Sequence, residues 1–392
     1  MNTLHRGILT LVRSALTGEK LELPGDFSLE QADDLVREHS LLPMVYHGAY
    51  LCGIPGDSEM MQRYQMRCYR NLIHTESQML AVEKLFAAFD ENGIDYMPLK
   101  GSVIRKLFPK PEFRTMGDAD ILIRQEQYEK VRPIMLSLGY QGESESDHDY
   151  TWNGKFLFAE IHKTLFSDQQ PEFLDYFGDG WGKAEAVQGH RYALTPEDEY
   201  LYLFAHMAKH FMLAGIGVRH MVDLFVYRRA YPQLDFGKVE TILERLHMLE
   251  FHRNIQRMLS VWFEDRPTDP VTDVITDFVF SSGSFGTTSN KMYAEEALKS
   301  EGDGPKRGSK GKSLLRTLFP PLWLLQLSYN VLYKAPFLFP VFWVVRWFDV
   351  LLHRRKNITK RFGIIQGMTD DKVEAYDQMM RLAGIDLRHQ KK

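Results

Sequence analysis

"LKGSVIRKLFPKPEFRTMGDADILI" occupies Leu99 to Ile123, and its last six residues decide the fold. Asp118-Ala119-Asp120 alternates two carboxylates with a small apolar residue, and Ile121-Leu122-Ile123 follows at once. The pattern predicts a strand whose two acids project to the same side, roughly 7 Å apart. Like charges so placed repel unless a cation sits between them. A hard divalent ion such as Mg²⁺ or Mn²⁺ suits two carboxylates, because it takes oxygen ligands together with the phosphates of a nucleotide.

Outward from this strand the pattern stays mixed. "IDYMPLKG" reads as a short strand ending at Gly101, and "SVIRKLF" as a short helix closed by Pro109-Lys110-Pro111. After the aspartates comes a helix, "RQEQYEKVRPIMLSLGY", ending at Gly139. "YTWNGKFLFAEIHKTLF" contains one or two further strands with Asn153-Gly154 as a hairpin turn. Within it Glu160 interrupts an apolar run, where an unpartnered charge is costly. It is the candidate third carboxylate of a two-metal arrangement, and His162 offers the competing reading of a structural couple with it. Gly101 lets backbone N–H groups approach a phosphate, and the Ser102 hydroxyl can donate to one. Lys100 or Arg114 would offset phosphate charge, Arg114 being the first choice because it lies near the aspartates in sequence.

The flanks read as helical. Residues 1–92 form a helical N-terminal segment, including a Ser28-capped helix that runs to a break near Pro43 and a long helix stopping at Asn92-Gly93. Residues 93–194 are the mixed αβ core, and Thr195-Pro196-Glu197 opens a helical domain over 195–299. Residues 300–313 are a polar Gly/Lys linker, followed by an extension over 314–392 with a short final helix. In the second helical part, His206 and His210 share a helix face. Their spacing admits zinc, satisfied core histidines, or a site role with Lys209 and Asp223; Arg219 and His220 stand nearby.

Composition excludes little but places the chain. It has 392 residues, 44% hydrophobic and 26% charged, with a net charge of −4, which argues against disorder and against a general nucleic-acid binder. Two cysteines, Cys52 and Cys68, fit a reducing compartment. Arg13 interrupts the apolar run of the amino terminus, so no signal peptide is expected and the cytoplasm is the default location.

The ordered motifs resemble the polymerase-β-type nucleotidyltransferase superfamily: Gly-Ser, a loop, Asp-x-Asp on the next strand and a later acid. "LKG" through "RTMGDADILI", with "EIH" and "HMAKH" beyond, is similar to a bacterial family of uncharacterised nucleotidyltransferases over roughly Leu42 to Phe263. The resemblance implies an α+β fold, a small mixed sheet with helices. It implies metal-dependent transfer of a nucleoside monophosphate, AMP from ATP first, to a hydroxyl or amine of an unnamed sugar, small-molecule, peptide or protein acceptor. Carried over by position, Asp118, Asp120 and Glu160 become the catalytic metal carboxylates. Gly101 and Ser102 become the phosphate loop, joined at the nucleotide by Lys100, Arg114, Lys209 and His210. Two other readings stay open: a non-catalytic module of this fold at a membrane surface, and a metallohydrolase using His206, His210 and Asp223.

The tail is a different kind of surface. Between Pro305 and Arg361 there are twelve Lys or Arg and a single acid, Asp349, with ten aromatics between Phe319 and Phe348. Pro320, Pro321, Pro336 and Pro340, and charges at Lys334 and Arg346, argue against a spanning helix. Segment 314–361 reads either as a peripheral anchor to anionic membrane or as a strap folded back over the protein.

Overall fold

The computed structural model describes residues 1–146, 149–167, 170–299, 319, 322, 325, 329, 331–353 and 367–387. The expected linker at 300–313 and the segments 314–318 and 354–366 of the extension lie outside them. The chain divides into two compact units, Met1–Gly286 with Arg381–Lys392, and Thr287–Met380.

The first unit opens with four helices, α1 (Thr3–Thr17), α2 (Leu29–Glu38), α3 (Leu42–Leu51) and α4 (Glu59–Glu91). Ser28 caps α2 by accepting from Gln31 N–H, as the sequence predicts. That helix ends at Glu38, earlier than the expected break. Pro43 instead sits in the first turn of α3, where its missing N–H costs no hydrogen bond.

A seven-stranded mixed sheet follows in the order β3-β4-β5-β2-β1-β7-β6. Its strands are β1 (Tyr96–Pro98), β2 (Asp118–Ile123), β3 (Gln141–Glu145), β4 (Asp149–Asn153), β5 (Phe158–His162), β6 (Ala184–Gln188) and β7 (Arg191–Leu194), with the short helices α5 (Gly101–Ile104) after β1 and α7 (Pro171–Phe177) after β5. Strands β4 and β5 pair antiparallel as expected. The hairpin β6–β7 and strand β3 were not legible: all three are short, β3 and β6 are largely exposed, and β7 spans only four residues, too few to show a period.

Alternation along β2 and β5 sorts the sheet into a packed face and a chemical face. Ile121, Ile123, Ala159 and Ile161 pack with Leu85 and Phe89 of α4 and with Val131 and Met135 of α6 (Tyr128–Ser137). Asp118, Asp120, Glu160 and His162 therefore point the other way. Over that side lie the helices α8 (Pro196–Ala214) and α9 (Val218–Ala230), whose residues share a cavity with the carboxylates.

Candidate active site

The site begins with strand register. Parallel pairing sets Asp120 opposite Glu160 and Leu122 opposite His162. Four polar residues from two strands thus meet on one face, although about forty residues separate them in sequence.

Strand β1 supplies a fifth. Leu99 N–H donates to the Asp120 carbonyl at 3.0 Å. The chain then turns at Lys100 with φ 47° and ψ −118°, a backbone conformation that non-glycine residues rarely adopt. That turn sends the Lys100 ammonium to Asp120 Oδ1 at 2.7 Å, and His162 Nε2 stands 2.9 Å from the same oxygen. Glu160 Oε2 lies 3.7 Å from His162 Nε2, so Asp120, not Glu160, is the closer partner of this histidine. Gly101 follows where Met116 crowds close; a Cβ there would sit 3.0 Å from Met116 Sδ.

Electrostatics separates the three acids. Burial works against ionised Asp120, but Lys100 and His162 outweigh it and hold its carboxyl well below the usual range. Burial and then repulsion from Asp120 and Asp118 push Glu160 up to about 8. Burial, followed by Asp120, also raises Asp118. The cluster is short of positive charge.

Asp120, Glu160 and His162 each offer a ligand atom within 4.8 Å of the others. Two carboxylates and an imidazole, with Asp118 on the same strand face, are a donor set that fits a divalent ion, and the raised Glu160 marks the charge such an ion would neutralise. No other group of three such residues closes to that distance among the described residues: His206, His210 and Asp223 do not gather as a zinc site would require, and Asp118 stands on the same strand face but outside the close trio. His206 and His210 instead approach each other, Nε2 to Nε2, at 3.2 Å.

Arginines form a second layer. Arg114 Nε donates to Asp223 Oδ1 at 2.6 Å, and Arg219 Nη1 to the Thr115 carbonyl at 2.9 Å. Arg105 Nε donates to the Arg114 carbonyl at 2.9 Å and so supports Arg114 from behind. Burial, then the neighbouring Arg114, lowers the Arg219 guanidinium to about 9. A crowded, buried set of cations is where an anion gains most.

Carboxylates and arginines line one cavity of about 340 Å³. Of the expected site residues, Lys100, Gly101, Arg114, Asp118, Asp120, Glu160, His206, His210, Arg219, His220 and Asp223 line it. Ser102 and Lys209 do not; the Ser102 hydroxyl is buried 4.0 Å from Met116 Sδ. Sequence reasoning missed Leu203, Met207, Leu224, Ser284 and Phe285 on the same wall. The first three carry only ordinary helical periodicity, and "SGSFG" looks like any Gly/Ser turn.

A family model described as uncharacterised nucleotidyltransferase matches residues 26–264. No curated protein matches the chain. Among solved structures, it is similar to the solution structure of the antibiotic-resistance factor ANT(2'')-Ia, with 18% identity and a TM-score of 0.33. The match covers 45% of this chain and 97% of that one.

Proposed function

The chain belongs to the family of uncharacterised nucleotidyltransferases, and from that membership we propose that it transfers a nucleoside monophosphate, AMP from ATP, to a hydroxyl or amine of an acceptor, releasing pyrophosphate. The observation that carries the reading is the β2–β5 register, which sets Asp120 beside Glu160 on the face shared with Asp118, over a cavity walled by Lys100, Arg114 and Arg219.

In this reading Asp118, Asp120 and Glu160 hold Mg²⁺ or Mn²⁺. The ion, when bound, would neutralise triphosphate charge and orient the reacting groups. The protein's own groups do the rest. Arg219 and the Asp223-paired Arg114 draw the triphosphate into the cavity, and Lys100, held on Asp120, adds positive charge beside the carboxylates. Asp120 stays ionised across neutral pH. With Glu160 pushed up to about 8, positive charge in the site would favour release of its proton to solvent, and the carboxylate left behind could accept the proton of the attacking group. Gly101 keeps the turn after β1 small enough for phosphates to approach. As in phosphoryl transfer generally, the rate gain comes from positioning and charge neutralisation.

For the helix Phe339–His353 of the second unit we propose peripheral contact with anionic membrane, from the cytoplasmic side. Val344, Trp347 and Phe348 are exposed on it. No described helix is long and apolar enough to cross a membrane.

The central test is incubation with each NTP and Mg²⁺ or Mn²⁺, following pyrophosphate release and labelling of added acceptors. Asp118→Asn and Asp120→Asn should each reduce turnover by about 100-fold or more while the protein stays folded. Glu160→Gln should cut turnover more than ATP affinity. Near-wild-type turnover in both aspartate variants would rule the reading out.

A further inference from the structure

Phe285 is an unusual residue for its place. Its side chain is 80% exposed, yet it belongs to the wall of the same cavity that holds the carboxylates. A ring so exposed adds little to folding, and it stands at the cavity rather than on bare surface, where a ligand can cover it.

The loop that carries it is tightly held. Ser284 N–H donates to the Glu38 carbonyl at 2.8 Å, and Ser284 Oγ to Ser40 Oγ at 3.1 Å. On the other side Gly286, at φ 74°, lies so close to the end of α8 that a Cβ would meet the Ala214 carbonyl oxygen at 2.4 Å. Gly217 closes the third side: a Cβ there would be 2.8 Å from Ser284 Cα. The backbone is clamped on both flanks of an exposed ring. Such a ring is presented rather than displaced, and presenting it loses little entropy on binding.

Arg219 connects this ring to the chemistry. Its guanidinium carbon is 5.6 Å from the Phe285 centroid, and its charge bears on Asp118. A ligand lying on Phe285 therefore has a buried cation beside it and the carboxylate cluster beyond. Planar aromatic at one end and polyanion at the other is the shape of a nucleoside triphosphate.

We propose that Phe285 is the stacking platform for the nucleobase of the donor nucleotide, with Arg219 bridging from the base end of the cavity to the phosphates. The inference rests on the nucleotidyltransferase reading and adds to it the base subsite. Stacking on a phenyl ring accepts any base, so the platform supplies affinity and leaves base choice to other groups.

The test compares two probes on the full chain, ATP and inorganic tripolyphosphate, each with Mg²⁺ and measured by calorimetry. Phe285→Ala should weaken ATP by about tenfold and leave tripolyphosphate unchanged, while Phe285→Tyr should restore ATP. In Phe285→Trp, ATP should produce an added change in indole fluorescence that tripolyphosphate does not. Equal weakening of both probes would assign the loop a purely structural role and overturn the proposal. Unchanged ATP affinity with lower turnover would put the ring on the acceptor side and overturn it as well. If the wild-type chain binds neither probe, the nucleotide site itself fails, an outcome distinct from the other two.

Discussion

A single carboxyl away from the site shows how firmly burial sets charge. Glu199 of α8 is buried, and its Oε1 has no hydrogen-bond partner among the described residues. Burial pushes it up to about 8, so it is neutral at pH 7. The ordinary value in the unfolded chain is near 4.5. Between the two values the unfolded state releases a proton that the folded state keeps. The stability tied to this carboxyl is therefore full below about pH 4.5 and is lost as pH rises through about 8. Glu199→Gln should leave Tm nearly unchanged at pH 4.5 and raise stability at pH 8 by on the order of 1–3 kcal/mol. Thermal melts of both proteins across that range check it; a parallel offset at every pH would refute the assignment. At the site the same physics is put to use, because Lys100 and His162 lie closest to Asp120 and hold its charge, whereas at Glu160 burial and the two aspartates outweigh Lys100.

Among the elements, the crossing of α1 and α3 is fixed by one missing side chain. A Cβ on Gly48 would lie 1.9 Å from the Leu11 carbonyl oxygen, a contact with backbone that cannot swing aside. The two helices approach as closely as they do because position 48 is glycine. Gly48→Ala should force them apart at a cost of about 1–3 kcal/mol, read as a lower Tm with the far-ultraviolet spectrum retained. An unshifted melting curve would show that the helices can separate without penalty. The consequence reaches the site: α2 and the loop after it carry the Glu38 and Ser40 contacts that clamp the Phe285 loop.

On the scale of the whole molecule the charge asymmetry is what motivates the proposed membrane contact. The helix Phe339–His353 exposes Val341, Val344, Trp347 and Phe348, and the sequence around it is rich in Lys and Arg. Apolar side chains entering a bilayer surface and basic ones meeting its anionic headgroups would act together. The full-length protein should cosediment with vesicles containing phosphatidylserine and less so with neutral vesicles. Binding should fall as salt rises, since screening acts within roughly 10 Å at 0.1 M ionic strength. Val344→Asp with Phe348→Asp should abolish sedimentation and spare nucleotidyl transfer. Indifference of the wild-type protein to anionic vesicles would remove the anchor.

The sequence by itself determined the family, the mixed α and β class, and the identity of the carboxylate trio as candidates. These are local matters: a two-residue alternation reports strand faces, and an acid in an apolar run reports a need for compensation. The tertiary structure decided which residues meet. That Asp120 lies against Glu160 depends on the parallel register of two strands with β3, β4 and α6 between them in sequence. That Lys100, and not Arg114, reaches Asp120 depends on a turn with positive φ, while Arg114 is taken by Asp223 from a helix more than a hundred residues on. His162 went to Asp120 because the register put it one step along the same face. Phe285 had no signal at all, since its place comes from close approaches among Gly217, Gly286 and Ala214. Local chemistry is written in the side chains, whereas juxtaposition is set by packing that no short window of sequence contains.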